Sequence, residues 1–200
     1  MKFTTATFAV LATAVLASPT EKGYSIRSAE EVKDGLLPLS DMIFTGLITS
    51  GGPNVTLSGP AESIYKQILA LNPDFDSLGS GVDERGLEAR QGNVNCQTGA
   101  AVESYYSSCA GSISHLLALG TSYCSVAAST CARVACSSPN CSMYLCNNQF
   151  SQVSVYCRDI AADMGIIVSR CGTDNGKGDT RARGSLGFTS HYTLLSAQTC

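Results

Sequence analysis

The sequence predicts an α+β fold, a two-layer sandwich in which two helices lie on one face of an antiparallel sheet and disulfides cross-link the elements. Three observations favour this class. All ten cysteines of the 200-residue chain lie between Cys96 and Cys200. Two stretches in this part carry apolar residues at helical spacing. The runs between and after them are short, apolar and bounded by polar turns, as is typical of strands.

The two helices are predicted from stripes of apolar residues three and four positions apart. The first stripe ends before Gly120, a natural stop, and consists of Val102, Tyr105, Cys109, Ile113 and Leu116. The second ends at Gly172 and consists of Cys157, Ile160, Met164, Val168 and Cys171. Because its two cysteines are separated by close to four turns, both face the same way, and we expect this helix to be cross-linked near both ends.

The strands are predicted around polar turns. Residues 133–136 and 143–146 flank a Ser-Ser-Pro-Asn turn and are predicted to form a hairpin. Residues 186–188 and 192–195 add one or two strands near the C-terminus. Together with the helices, these strands form the predicted sandwich.

The cysteines predict a disulfide scaffold, since a secreted chain this rich in cysteine relies on cross-links. An even count favours five bridges and no free thiol, and leaves the pairing open. The set is Cys96, Cys109, Cys124, Cys131, Cys136, Cys141, Cys146, Cys157, Cys171 and Cys200. Neither His115 nor His191 stands at a zinc-ligand spacing from them, so we expect no metal site and no cofactor.

The N-terminus predicts secretion. Lys2 and the apolar run of residues 8–16 are typical of a signal peptide, with cleavage after Ala17. This run is too short to span a bilayer, and no later stretch approaches the necessary length. We therefore expect a secreted protein without an integral membrane segment.

A second cleavage is predicted at Leu87-Glu88-Ala89-Arg90, a sequence suited to a kexin-type maturation protease of the secretory pathway. The chain then divides into a signal peptide at 1–17, a propeptide at 18–90 and a mature cysteine-rich domain at 91–200. The basic residue Arg90 ends the propeptide, and Leu87 completes the recognition sequence. All the cysteines fall on the mature side, which supports this division.

The propeptide is predicted to be weakly structured, with two short amphipathic helices near residues 28–31 and 60–71. A Ser-Gly-Gly-Pro break at 50–53 separates them, and Asn54 begins a glycosylation sequon. Composition leaves two roles open for this segment, a folding chaperone or a disposable spacer.

Charge argues against nucleic acid as a partner. Residues 91–200 contain five acidic and six basic residues, so the mature part is almost neutral, whereas residues 18–90 contain eleven acidic and six basic residues. A nucleic-acid binder would present a strongly basic surface. We therefore expect no nucleic-acid partner. We also expect a monomer in solution.

Several segments resemble a known family. They are residues 94–96, 131–137, 157–160, 169–173, 183–186, Tyr192 and Cys200. These segments are similar to parts of the ten-cysteine killer toxins of smut fungi and of related small secreted cysteine-rich fungal effector proteins, many of which carry a cleaved pro-segment. The resemblance implies an α/β-sandwich fold and an extracellular toxin-like or effector-like role in growth inhibition, virulence or cell death, without catalysis. The target that it implies is an extracellular or host protein.

Enzymatic function is the alternative. No Gly-x-Ser-x-Gly sequence is present, and paired cysteines leave no thiol nucleophile. A secreted ribonuclease could combine Glu103, His115 and His191 with an arginine. A carbohydrate-binding module would need an aromatic platform, which the sequence does not reveal.

The candidate target-binding residues lie in a glycine-rich segment. Lys177, Arg181 and Arg183 are three cations within seven positions of a predicted mobile surface loop. The segment matches neither a phosphate loop nor a calcium loop, because the glycine and acidic residues are misplaced or too few. The sheet face around Arg133 and Tyr144 is the alternative binding surface.

Overall fold

The computed structural model describes residues 37–75 and 92–200, which contain three helices and three sheets. The helices are α1 (Ala61–Leu71), α2 (Tyr105–Ala118) and α3 (Cys157–Cys171). The strands are β1 (Leu39–Ser40), β2 (Ile43–Leu47), β3 (Asn54–Ser58), β4 (Asn93–Asn95), β5 (Tyr123–Val126), β6 (Cys131–Ser137), β7 (Cys141–Asn147), β8 (Val153–Tyr156), β9 (Thr173–Asp174), β10 (Thr180–Arg181), β11 (Gly184–Gly187) and β12 (His191–Ser196). The predicted disulfide-cross-linked α+β class is confirmed.

The largest sheet has six strands in the order β1-β6-β7-β12-β11-β4. All its pairs are antiparallel except β1 with β6. The predicted hairpin is confirmed as β6 and β7, and the predicted C-terminal strands as β11 and β12. Helices α2 and α3 pack on this sheet, α2 against β6 and β7 and α3 against β11 and β12.

Helices α2 and α3 confirm the two predicted stripes, except that Val102 precedes α2 and forms a β-bridge with Ala182. Cys109, Leu116, Ile160 and Met164 are fully buried. Helix α3 begins and ends at its two cysteines, as expected from their spacing. It stops at Gly172, where a Cβ atom would collide with the carbonyl oxygen of Val168.

All ten cysteines form bridges, and no thiol is free. The pairs are Cys96–Cys171, Cys109–Cys141, Cys124–Cys157, Cys131–Cys146 and Cys136–Cys200. Helix α3 is therefore cross-linked at both ends, as predicted. The bridges link helices α2 and α3 to strands or to loops beside strands, and they link the C-terminus to β6.

A second sheet, of four strands in the order β3-β2-β5-β8, was not expected from the sequence. Strands β2 and β3 come from residues before the predicted cleavage site, and β5 and β8 come from residues after it. We call residues 37–75 the N-terminal segment and residues 92–200 the cysteine-rich part. The sheet joins the two, because β2 pairs with β5.

The N-terminal segment is more ordered than the weakly structured propeptide expected. Its predicted helix is confirmed as α1, which follows Pro60 and ends before Asn72. Ile64 and Ile68 are fully buried as their spacing suggested, but Leu71, expected on the same face, is 61% exposed. The Ser-Gly-Gly-Pro break connects β2 to β3. The signal peptide, the predicted helix near residues 28–31 and the processing residues Leu87 and Arg90 lie outside the described residues.

Candidate functional sites

Lys177 and Arg181 lie in a short hairpin where the sequence predicted a mobile surface loop, and Arg183 follows this hairpin. Strands β9 and β10 pair through Thr173 with Arg181 and Asp174 with Thr180. Within the turn, the Asn175 side-chain oxygen accepts hydrogen bonds from the backbone N–H of Lys177 at 2.8 Å and of Asp179 at 3.1 Å. The turn also contains Gly176 and Gly178 in the left-handed region, which glycine tolerates without strain.

Asp179 fixes this hairpin to the start of α2. Its carboxylate accepts hydrogen bonds from the backbone N–H groups of Tyr106 at 2.9 Å and Ser107 at 3.0 Å, and from the Ser107 hydroxyl at 2.7 Å. The first N–H groups of a helix have no partner within the helix, and Ser104 at the N-cap position makes no side-chain capping bond. Asp179 therefore caps α2 from a distant point in the chain.

The same contacts set the protonation of Asp179. They lower its pKa from the ordinary value of 3.8 to about 2. The Ser107 hydroxyl is the largest cause, and the N–H groups of Thr180, Ser107 and Tyr106 add to it, while partial desolvation opposes them. The carboxylate is thus charged at any physiological pH and faces the positive end of the helix dipole.

The three candidate cations do not form one uniform cationic patch. The Nε atom of Arg181 lies 2.8 Å from Oε1 of Glu103. The Arg183 guanidinium donates to the Gly99 carbonyl oxygen at 3.3 Å and to Oε1 of Gln97 at 3.4 Å. Lys177 is exposed at the turn and has no side-chain partner among the described residues. Of the three, Lys177 is therefore the side chain most available to a target.

An open cleft of about 370 Å³ lies between the hairpin and helices α2 and α3. Its lining includes Tyr106 and Val168 from the helices and Asp174 and Asp179 from the hairpin. Tyr106 is 62% exposed, so an aromatic ring and a fixed carboxylate stand at the rim of one cleft.

The proposed ribonuclease residues are spread over the molecule. Glu103 precedes α2, and His115 is in the last turn of that helix, about 18 Å away along an axis that rises 1.5 Å per residue. The His115 ring lies 5.4 Å from the ring of Tyr65 in α1. His191 begins β12, where its ring stacks on Phe188 at 4.7 Å and its Nδ1 contacts the Ser190 hydroxyl at 3.0 Å. The structure does not bring the three together.

The alternative sheet face around Arg133 and Tyr144 is not an exposed aromatic surface. Tyr144 is fully buried, and its hydroxyl donates a hydrogen bond to Oε1 of Gln198. Arg133 donates to the carbonyl oxygen of Thr199 at 3.2 Å. The prediction of a binding surface centred on Tyr144 is therefore wrong, because the C-terminal residues approach the tyrosine there.

An aromatic pair that sequence reasoning missed lies on the four-stranded sheet. Tyr123 and Tyr156 are directly opposite in the β5–β8 register, with ring centroids 5.1 Å apart and planes at 28°. They are 46% and 38% exposed. The bridge Cys124–Cys157 joins the residues that follow each of them. Hydrogen bonding to Tyr156 raises the pKa of Tyr123 above its ordinary value.

The rest of this face is uncharged and rich in hydroxyl groups. We call it the tyrosine face, and its residues are Ile43, Thr45, Leu47, Asn54, Thr56, Ser58, Tyr123, Ser125, Ser154 and Tyr156. The hydroxyls of Ser125 and Ser154 are 2.7 Å apart. A cavity of about 260 Å³ opens beside Tyr123, between Thr45 and Leu119. The only sequence signal for this face was the presence of tyrosines in two separate strand-like runs.

The predicted glycosylation site is accessible. Asn54 is exposed at the start of β3. The sequence Asn140-Cys141-Ser142 is a second sequon, but Cys141 is bonded to Cys109 and Ser142 is fully buried. Asn54 therefore stays the predicted site.

Within residues 37–75 and 92–200 no three potential metal ligands among His, Cys, Asp and Glu come together. The helices in these ranges are too short or too polar to cross a membrane. Comparisons with protein-family models, with curated proteins and with solved structures found no match. The resemblance to killer toxins therefore stays a prediction.

Proposed function

We propose that the protein is a secreted, proteolytically matured binding protein of the toxin or effector type, which acts without catalysis on an extracellular or host-cell target. The observation that carries this proposal is the cross-linked scaffold itself. Five bridges hold the helices and strands of the cysteine-rich part, and this frame presents a hairpin fixed by Asp179. Binding residues concentrate on connections held by rigid scaffolds.

Lys177 is the residue of this hairpin that we assign to target contact. Its ammonium group is exposed, whereas Arg181 is engaged by Glu103 and Arg183 by backbone and amide oxygens. Glu103 pairs with Arg181, and Asp174 and Asp179 lie in the same hairpin as Lys177, so the local charge is balanced. The target would then be recognised by the position and the hydrogen bonds of Lys177 rather than by a large positive electrostatic field.

The test measures growth inhibition of fungal cells and cell death in plant tissue with the purified secreted protein. Lys177→Ala should reduce the activity several-fold without lowering the melting temperature, because an exposed lysine contributes little to stability. Arg170→Ala is the matched control, since Arg170 is also an exposed cation of the mature part but lies at the end of α3. Equal activity of both variants and the wild type would contradict a role for the hairpin. RNA cleavage that His115→Ala or His191→Ala abolishes would establish the ribonuclease alternative instead.

Binding to cell-wall polysaccharide is a second candidate function, favoured by the tyrosine face. Exposed tyrosines offer an apolar ring with a polar hydroxyl, which suits the C–H faces and hydroxyls of sugars. The residues of this face carry no charge, and serine and threonine hydroxyls flank the ring pair. The sequence argued against a carbohydrate-binding module because it revealed no aromatic platform. The stacked pair of Tyr123 and Tyr156 supplies such a platform.

Sedimentation with insoluble chitin and β-glucan tests the second candidate. Replacing both Tyr123 and Tyr156 with serine should reduce the bound fraction at least tenfold. Tyr106→Ser is the matched control, because Tyr106 is equally polar and more exposed but lies in the hairpin cleft. No binding by the wild type, or equal loss in both variants, would reject the polysaccharide function.

A further inference from the structure

The N-terminal segment is built into the backbone ladders of the cysteine-rich part. Strand β2 lies between β3 and β5, and Phe44 is opposite Cys124. Strand β1 pairs with β6, which would be an edge strand without it. Just before β1, the carbonyl oxygen of Pro38 accepts a hydrogen bond from the N–H of Cys131 at 2.9 Å. The segment thus completes one sheet and extends the other.

The segment also supplies part of the hydrophobic core. Met42, Phe44, Ile64 and Ile68 are completely buried, in one cluster with residues of α2, α3, β5 and β6. Helix α1 packs against α2 and β6. The partners of these side chains belong to the cysteine-rich part as well as to the segment, so the core has no boundary between the two.

Polar contacts cross the same boundary. Oε1 of Glu62 accepts a hydrogen bond from the backbone N–H of Cys136 at 3.1 Å. The hydroxyls of Ser40 and Thr130 are 2.9 Å apart. Each contact satisfies groups on both sides that would otherwise need water.

No cysteine lies before residue 96, so no disulfide can link the segment to the rest of the chain. A cut after Arg90 therefore leaves the segment attached only by the contacts above. Its loss would expose the backbone edge of β5 and the apolar side chains of α2 and β6. Large apolar burial and an unpaired strand edge both oppose such a loss.

We propose that residues 37–75 are a permanent subunit of the secreted protein, which after maturation consists of two chains held together without a covalent bond. The proposal takes the cleavage after Arg90 from the proposed function. Its consequence concerns the tyrosine face, to which β2 and β3 contribute half of the strands. That face is complete only while the segment remains bound.

The experiment uses the full chain with the recognition sequence of a site-specific protease in place of residues 87–90. The purified protein is cut to completion and passed over a size-exclusion column. The two pieces should elute together with the mass of the uncut chain, and they should separate on a denaturing gel without reductant. Elution of the cysteine-rich piece without the segment would overturn the proposal, and so would a dimer of that piece joined through the free β5 edge.

Helix α1 offers a matched pair of variants. Ile68→Asp places a charge in the core, and the segment should dissociate at least tenfold faster after the cut. Leu71→Asp is a change of the same type at an exposed position of the same helix. In this variant the segment should dissociate at the wild-type rate. If Ile68→Asp is not secreted, Ile68→Ala serves the same comparison. Equal retention by the buried and the exposed variant would count against the proposal.

The natural cleavage is examined separately by the intact mass of the unmodified secreted protein under denaturing conditions. A single uncut chain would reject the maturation step of the proposed function. The behaviour of the engineered cut protein would still decide whether the segment stays bound.

Discussion

The N-terminal segment and the cysteine-rich part contribute to the same hydrophobic core, but different interactions hold them there. Five disulfides restrict the cysteine-rich part, whereas the segment is held by apolar burial, two strand pairings and a few hydrogen bonds. Disulfides act mainly by restricting the unfolded chain. Burial acts by removing apolar surface from water in the folded state. The distribution of cysteines therefore marks how each region is stabilised, and it does not mark the boundary of the folded unit.

The largest effect is expected where apolar burial, and no disulfide, holds the segment in the core. Phe44→Ala in β2 should lower the free energy of unfolding by about 3–5 kcal/mol, because it removes a fully buried ring and leaves a cavity. Leu47→Ala on the same strand is the control, since Leu47 is 40% exposed and its loss should amount to less than about 1 kcal/mol. Urea unfolding of the uncut chain measures both values. Similar small losses for the two variants would mean that the segment contributes little to the core.

An intermediate effect is expected from a bridge. Replacing Cys136 and Cys200 with alanine removes the link between β6 and the C-terminus. The free energy of unfolding should fall by about 2–4 kcal/mol, because the unfolded chain is then less restricted. The contacts of α1 with α2 should survive, so the segment should still elute with the cysteine-rich part after a cut. Unfolding measurements give the first value and size exclusion the second. Dissociation of the segment from this variant would show that the two kinds of stabilisation are coupled.

A smaller effect is expected at the hairpin, where the Asp179 carboxylate binds the first N–H groups of α2. The pKa of Asp179 is lowered, so its charge stabilises the fold above the ordinary value of 3.8, and that contribution is lost as the pH falls through about 2. Asp179→Asn should lower the melting temperature by a few degrees at neutral pH. The difference from the wild type should shrink below pH 4 and vanish near pH 2.

Asp174→Asn is the control for this titration. Among the described residues, the Asp174 carboxylate accepts one hydrogen bond within the hairpin, from the N–H of Gly176 at 2.8 Å, and it makes none to α2. Its substitution should therefore leave the melting temperature nearly unchanged. A pH-independent difference between Asp179→Asn and the wild type would contradict the assigned role of the charge.

Local patterns were sufficient to predict the elements whose signals lie within a short window. The spacing of apolar residues between Cys157 and Cys171, followed by Gly172, predicted α3 from end to end. The polar turn before Cys141 predicted the β6–β7 hairpin. In both cases the residues that decide the structure are neighbours in sequence.

Such local patterns could not predict contacts between residues that are far apart in the sequence. Strands β2 and β3 contain Gly46 and several polar residues, and β2 depends on pairing with β5 almost eighty positions later. The cap that Asp179 provides to α2 and the stacking of Tyr123 on Tyr156 likewise join residues far apart in sequence. The sequence shows that the three candidate cations are close to one another along the chain. It could not show that Glu103 forms an ion pair with Arg181. Disulfide pairing belongs to the same class, because spacing leaves it open.

Native-state hydrogen exchange on the uncut protein tests most directly whether the two regions form one folded unit. Amides of β2 and α1 should exchange only through global unfolding, with free energies of opening within about 1 kcal/mol of those in β5. This result is expected because Phe44 and Ile68 are buried in the same cluster as Cys124. If β2 and α1 exchanged through local opening while β5 stayed protected, the segment would be a separable appendage and the account would be wrong.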